Sequence, residues 1–394
     1  MRNIILLGLV SFFSDISSEM VYPILPLYLS AAFGATPVLI GVIEGIAESL
    51  ASLLKVFSGY VTDKRGRRKQ VAFAGYAAGL LYKVMLIFAG SWAGVLAARV
   101  TDRMGKGIRT APRDVMISDS ADKEHMGKAF GIHKAMDMAG SAVGILAAYL
   151  LLRSAGGAAF RYKEVFAASA VPALLGLLMF FFIKEQRRER AATRREPFWR
   201  NARMLDGRLK LYLAVAFVFT LGNSSNTFLL LRARNAGFTD ANVILLYFAY
   251  NLSASLLSIP LGRLSDRAGR KKVLVAGYIV FSLVYLGFAF GPGRASIAAA
   301  FLLYGLYTAM TAGVERAFIA EVSPAQLKGT MLGLHSTVVG VGLLPASVLA
   351  GLLWDWLGAP APFVFGALMA LAAALILQIF MGNAKAAGQP PAPQ

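Results

Sequence analysis

The sequence predicts an all-α polytopic membrane protein, with twelve transmembrane helices in two six-helix bundles related by pseudo-two-fold symmetry. Three observations lead there. Of 394 residues, 57% are hydrophobic and the mean hydropathy is +0.61, well outside the range of soluble domains of this length. Apolar windows recur near 4–31, 37–61, 70–90, 92–118, 128–152, 164–183, 209–231, 240–262, 273–291, 295–320, 329–353 and 361–381. Each is about 20 residues or longer, enough for roughly 30 Å of hydrocarbon, and a continuous run argues for a helix where a barrel strand would alternate. Finally, the second half of the chain repeats motifs of the first at an almost constant offset.

The first window contains SFFSDISSEMVYPILP, which puts Asp15 and Glu19 one helical turn apart inside an apolar run. It is too long for a signal-peptide core and lacks a small-residue cleavage pattern, so it is expected to be a retained helix. A charge near mid-bilayer costs roughly 2.5–3.5 kcal/mol or more, so such residues mark a pathway or a pair. The second window carries Glu44 and Glu48, again four apart, with Lys55 seven further on the same face. On the fourth, Arg99, Arg103, Lys106, Arg109 and Arg113 recur every three or four residues as a cationic stripe. The fifth carries His133, Lys134 and Asp137. Polar residues of the second half are neutral for the most part: Asn223, Ser224, Ser225, Asn226 and Thr227 on the seventh window, and Tyr247, Tyr250 and Asn251 on the eighth. On the tenth, Glu315 and Arg316 take the places of Arg113 and Asp114 with the charges exchanged, which reads as a self-contained pair.

The repeat is specific. Gly59, Asp63, Gly66, Arg67 and Lys69 return 203 positions later as Gly262, Asp266, Gly269, Arg270 and Lys272, and Gly127, Gly131, His133 and Gly140 return 202 positions later as Gly329, Gly333, His335 and Gly342. The expected organisation is an N-terminal six-helix bundle over 1–183, a basic linker over 184–208, a C-terminal bundle over 209–383 and a disordered tail over 384–394. The doubled Gly-x-x-x-Asp-x-x-Gly-Arg loop, after the second and eighth helices, resembles that of the major facilitator superfamily over the whole chain. Pro23-Ile24-Leu25-Pro26 looks like the Pro-x-x-Pro of the twelve-helix drug:proton antiporters. Arg103 and Gly107 match the Arg-x-x-x-Gly of the fourth helix, with Lys106 in place of a glutamine. Gly131, Gly140 and Gly144 fit the antiporter motif of the fifth, with Ile145 in place of its proline and Ala148-Tyr149 in place of its glycine pair. The resemblance implies a central cavity that opens alternately to either side, lined by helices one and four.

Charge placement predicts orientation. With the N-terminus in the cytoplasm, 25 basic residues fall on inside segments and 6 on outside loops. The net charge of +19 is then topological. N- and C-termini are both expected in the cytoplasm, in a bacterial inner (plasma) membrane, and nucleic acid is not an expected partner. The chain has no cysteine, and it shows no nucleotide-binding loop, HExxH or GxSxG. No cofactor, metal or catalytic residue is implied, and the chain is not expected to be an enzyme. The different-class alternative, a membrane-embedded enzyme, lacks its motifs.

The expected function is secondary active transport by alternating access, as a monomer, with protons and a small molecule as partners. The leading reading is proton-coupled export of amphipathic organic compounds; the alternative is a carrier for a charged solute, an organic anion or a metal cation, in either direction. Asp15, Glu19, Glu44, Glu48, Arg103, His133 and Asp137 are the candidates for proton coupling or substrate binding, with Arg99, Lys106, Arg109 and Arg113 as a cationic cavity face. Two nearby carboxyls cannot both ionise cheaply, so one of Asp15 and Glu19 is expected to hold a proton against the arginine face; a purely structural ion-pair network is the alternative. His133 suits a proton relay, or a packing or gating role shared with His335. Gly59, Asp63, Gly66, Arg67 and Asp119, with Gly262, Asp266, Gly269, Arg270 and Glu321, are expected to gate the cytoplasmic side, Arg67 or Lys69 pairing with Asp119 and Arg270 with Glu321; simple topological anchoring is the alternative. Asn223, Asn226, Tyr250, Asn251, Glu315 and Arg316 form the polar face of the C-terminal bundle, for substrate or for helix packing.

Overall fold

The structure, a computed structural model, describes residues 2–65, 68–121, 126–153, 161–184, 205, 207–323 and 328–380, the side chains of 55–65, 126–128, 161, 320 and 328–330 excepted. Most of the expected linker and the whole tail lie outside the described residues, as do Gly66, Arg67 and the side chains of Gly59 and Asp63.

Every described element is helical: α1 (Arg2–Val21), α2 (Leu25–Phe33), α3 (Pro37–Arg65), α4 (Arg68–Phe88), α5 (Trp92–Asp119), α6 (Met126–Arg153), α7 (Arg161–Met179) with a 3-10 turn at Phe180–Phe182, α8 (Gly207–Gly222), α9 (Thr227–Asn235), α10 (Asp240–Ala268), α11 (Arg270–Phe290), α12 (Arg294–Val322), α13 (Lys328–Leu357) and α14 (Ala361–Phe380). Counting α1 with α2 and α8 with α9, eleven spans among the described residues are long and apolar enough to cross a membrane. The twelfth, α5, carries the cationic stripe and is too polar to qualify by hydropathy alone.

Two windows expected to be continuous are broken. The first stops at Val21 and resumes at Leu25. Proline has no N–H to donate and disfavours helical geometry in the residue before it, and here Pro23 stands in the gap with Pro26 in the first turn of α2. The seventh stops at Gly222 and resumes at Thr227, across Asn223-Ser224-Ser225-Asn226, whose side chains compete for backbone hydrogen bonds. The breaks sit at equivalent places of the repeat.

Packing repeats with the sequence. In the first half α1 lies on α6 and α7, α5 on α3 and α4, and α4 on α7; in the second, α8 lies on α13 and α14, α12 on α10 and α11, and α11 on α14. The halves meet along α3 against α13 and α6 against α10, two seams that exchange under the pseudo-two-fold. Small residues let these helices approach: a Cβ on Gly140 or Gly144 of α6 would strike the backbone of Phe12 or Ile16 in α1, and one on Gly351 of α13 would strike the backbone of Val38.

At one end the halves are tied together. The Tyr162 hydroxyl bonds to Asp240, Arg234 donates to the Leu27 carbonyl at 3.3 Å and pairs with Asp240 at 3.5 Å, and the Val38 amide donates to Asp355 at 3.4 Å. At mid-depth Ser49 donates to the Gly340 carbonyl at 2.5 Å and the Tyr247 hydroxyl to Glu19 at 3.4 Å. Closer to the end that carries the repeated loops, the Ser255 hydroxyl of α10 meets the Met138 sulfur of α6 at 3.8 Å.

Candidate functional site

Both broken helices open onto one cavity of about 380 Å³ between the halves. Tyr22, in the first break, and Glu48 line it from the first half; Asn223 to Asn226, in the second break, Tyr250, Tyr304, Tyr307, Thr311, Glu315 and His335 line it from the second. Asn223 donates to the Tyr307 hydroxyl at 3.0 Å and Asn226 accepts from the Tyr304 hydroxyl at 2.8 Å, which fixes both amides and both rings. Of the expected C-terminal face, Asn223, Asn226, Tyr250 and Glu315 reach the cavity. Asn251 instead bonds back within its own helix, donating to the Tyr247 carbonyl at 2.9 Å.

Of the wall made by α12, sequence reasoning found Glu315 and missed the rest. Tyr304, Tyr307, Thr308, Thr311 and Glu315 follow the three-and-four spacing of one helical face. That spacing was visible, but aromatic residues in a membrane helix are ordinarily packing, and only the cavity distinguishes these.

The cationic stripe does not form a cavity face, because its members are engaged one by one. Arg99 is buried and holds Glu44 in a two-pronged pair, Nε to Oε1 at 2.8 Å and Nη2 to Oε2 at 2.7 Å, with Glu48 at 3.6 Å and Asp102 at 3.5 Å. Arg103 pairs with Glu48 at 2.8 Å, and both guanidiniums lie over the Tyr22 ring, at 5.2 and 5.8 Å. Arg109 is buried over the Tyr76 ring at 4.3 Å, and Arg113 pairs with its neighbour Asp114 at 2.9 Å. Only Lys106 is exposed. It stands mid-helix among Asp15, Glu19 and Glu48, so the surface it presents belongs to a water-reached interior and not to lipid. The four acids expected to confront the stripe divide accordingly: Glu44 and Glu48 hold the arginines, while Asp15 and Glu19 do not enter that network of close pairs.

Asp15 and Glu19 do not pair with each other. Asp15 lies within hydrogen-bonding reach of the Asp137 carboxyl on α6, and Asp137 also takes Lys134 at 3.1 Å. Glu19 reaches across to Tyr247 of the other half. The His133, Lys134 and Asp137 cluster separates for the same reason of helix geometry: His133 is buried on another side of α6, with its Nε2 2.7 Å from the Ser11 hydroxyl, which is itself 3.3 Å from the Tyr76 hydroxyl. His335 has different surroundings, stacked on Tyr212 with ring centroids 5.9 Å apart and facing Glu315. Glu315 accepts from the Tyr278 hydroxyl at 3.0 Å, while its neighbour Arg316 is exposed and makes no salt bridge with it.

At the loop end, Arg270 pairs with Glu321 at 3.1 Å and Asp266 at 3.2 Å, as the repeat anticipates. In the first half Arg68 bonds to Asp119, and Lys69 donates to the Ile183 carbonyl at 2.6 Å; Arg67, one of the two residues expected to pair with Asp119, lies outside the described residues. Gly269, between Asp266 and Arg270, has a φ of 95°, a conformation that favours glycine. Gly262 has open space where a Cβ would project, so close approach is not its role in this conformation.

Comparison with known proteins agrees with this architecture. The family model described as Major Facilitator Superfamily matches residues 7–232 and again 211–394. An uncharacterized MFS-type transporter of Methanocaldococcus jannaschii is 37% identical over 382 residues, 95% of this chain and 94% of that protein. A multi-drug resistance efflux pump PmrA homolog of Lactococcus lactis is 34% identical over 175 residues, 42% of this chain and 43% of the pump. Among solved structures, the nucleoside transporter NupG superposes with a TM-score of 0.79 at 14% identity, covering 96% of this chain and 98% of its own. The chain therefore belongs to the major facilitator superfamily, and it is a membrane transporter, not an enzyme.

Proposed function

We propose that the protein exports small amphipathic organic compounds in exchange for protons, by alternating access of two halves, 1–183 and 209–383, that rock about the α3–α13 and α6–α10 seams. In this reading the N- and C-termini lie in the cytoplasm, where the basic loops sit, and the tied end faces outward. The observation that carries the coupling is the meeting of the Asp15 and Asp137 carboxyls beside Lys106. Two carboxyls at bonding distance share one proton readily, and losing it places two negative charges together. The Lys106 ammonium is near enough to offset that charge, and it is water-reached. Proton and lysine thus alternate as the partner of one carboxyl pair, and Glu19, bonded to Tyr247 across the seam, passes the charge state of the first half to the second. The cavity supports the substrate class: aromatic walls for an apolar body, fixed amides for a polar head. The L. lactis efflux pump lends support for the direction.

The test is substrate movement in proteoliposomes under an imposed pH gradient. Asp15→Asn and Asp137→Asn should each insert normally, bind substrate, and lose at least tenfold of gradient-driven transport while retaining exchange. Full gradient-driven transport by both variants would remove the pair from the mechanism.

A further inference from the structure

We infer that the transported compound carries a positive charge on an aromatic or bulky apolar frame, and that Glu315 is the group that receives the charge. The inference rests on the transporter reading only in taking the central cavity as the substrate's place; it does not depend on proton coupling.

The cavity is lined by two carboxylates, Glu48 and Glu315, and among the described residues by no lysine or arginine. Glu48 is already satisfied by Arg103 at 2.8 Å and Arg99 at 3.6 Å. Among the described residues Glu315 makes no salt bridge with a lysine or arginine: the Tyr278 hydroxyl bonds one oxygen at 3.0 Å, the His335 ring lies 4.0 Å from the other, and Arg316 acts on it through space only. Its remaining acceptor capacity faces the cavity, since an ionised carboxylate offers about four lone-pair sites. The positive groups that an anionic solute would need are already engaged: Arg99 and Arg103 are held by Glu44 and Glu48 behind the Tyr22 ring, Arg113 pairs with Asp114, and Arg109 stacks on Tyr76.

The walls favour the same charge. Tyr250, Tyr304 and Tyr307 stand with ring centroids 5.1 and 5.2 Å apart, and Phe219 and Tyr22 close the space. Aromatic faces attract a cation through the ring quadrupole, most of all where water is thinned out. The volume, about 380 Å³, suits a small organic molecule, at the lower end of the roughly 300–1,000 Å³ common for such sites. One carboxylate at the end of an aromatic slot reads as a receptor for an organic cation whose bulk lies against the rings and whose charge points to Glu315.

The experiment is equilibrium binding to the full-length protein in detergent with no gradient imposed, using three probes of similar frame: tetraphenylphosphonium, the neutral triphenylphosphine oxide and the anionic tetraphenylborate. The wild-type protein should bind the phosphonium at least tenfold more tightly than the oxide, and the borate least. Glu315→Gln should weaken phosphonium binding at least tenfold, leave the oxide within twofold, and remain monodisperse; Glu315→Asp should keep the preference for the cation. Absence of phosphonium binding by the wild-type protein, or an unchanged charge preference in Glu315→Gln, overturns the inference. Full gradient-driven transport in Asp15→Asn and Asp137→Asn with the Glu315-dependent preference intact would sink the coupling reading and leave this one standing; the opposite pattern would do the reverse.

Discussion

Arg99 and Lys106 lie seven residues apart on one helix, yet their surroundings assign them opposite duties. Arg99 is 2% exposed and clamps Glu44 through two short charge-assisted bonds. Removing one member of a buried pair leaves the other charge uncompensated, at a cost of about 3–5 kcal/mol. Glu44→Gln should therefore destabilise the protein by about 3 kcal/mol, the lower end of that range, because Glu48 and Asp102 remain near the guanidinium. Thermal unfolding of the purified variant checks this, and an unchanged midpoint would contradict it. Lys106→Gln should do the reverse, leaving the unfolding midpoint within about 0.5 kcal/mol of wild type, as for other substitutions outside packed contacts, while gradient-driven transport falls at least tenfold. Which cations belonged to which class was not legible in the sequence. Spacing put all five on one stripe, but the stripe turns across α1, α3 and α4, and the partner of each position is set by which of those helices it meets.

At the scale of elements, α1 and α6 are brought together by Gly140 and Gly144, and the same two helices carry Asp15 and Asp137. A side chain at 144 must push the Ile16 backbone away. Gly144→Val should thus cost about 1–3 kcal/mol of stability, the usual range for overpacking, and should part the carboxyls as well; Gly131→Ala, where a Cβ meets nothing, should do neither. Measuring unfolding and gradient-driven transport on both variants separates the two effects. Helix number, the doubled loops and the glycine spacing were readable from residues 59–69 and 127–144 and their repeats, since hydropathy and close approach are local properties. The breaks were half readable. Pro23 and Pro26 announce the first, whereas Asn223-Ser224-Ser225-Asn226 looks like an ordinary polar helical face until the backbone is seen to leave its helix.

For the whole molecule, the ties among Tyr162, Asp240, Arg234 and Leu27 hold one end shut. A state closed there is favoured by as much as those contacts differ between the two conformations. Asp240→Asn replaces the charged acceptor of the Tyr162 hydroxyl, which comes from the other half, by a neutral amide; the loss, about 1 kcal/mol, should raise the share of molecules open at that end about fivefold. The chain has no cysteine, so spin labels on cysteines introduced at the exposed Ala32 and Trp356 report the distance across that end without background. A distance distribution identical to wild type would show that the ties do not set the equilibrium.

The exposure of Lys106 has an electrical consequence. Water that reaches this depth from the loop end carries the potential of that compartment to the middle of the protein. The transmembrane voltage then falls mainly across the thin closed layer between Tyr22 and the Asp240 ties, instead of evenly across about 30 Å of hydrocarbon. A charge that enters from the open end meets almost no field on its way to Asp15 or Glu315. In the proposed alternating access it traverses nearly all of it as the halves rock, at about 2.3 kcal/mol per elementary charge for each 100 mV. Binding from the open side should accordingly be insensitive to voltage, and the conformational step should carry the voltage dependence of the whole cycle.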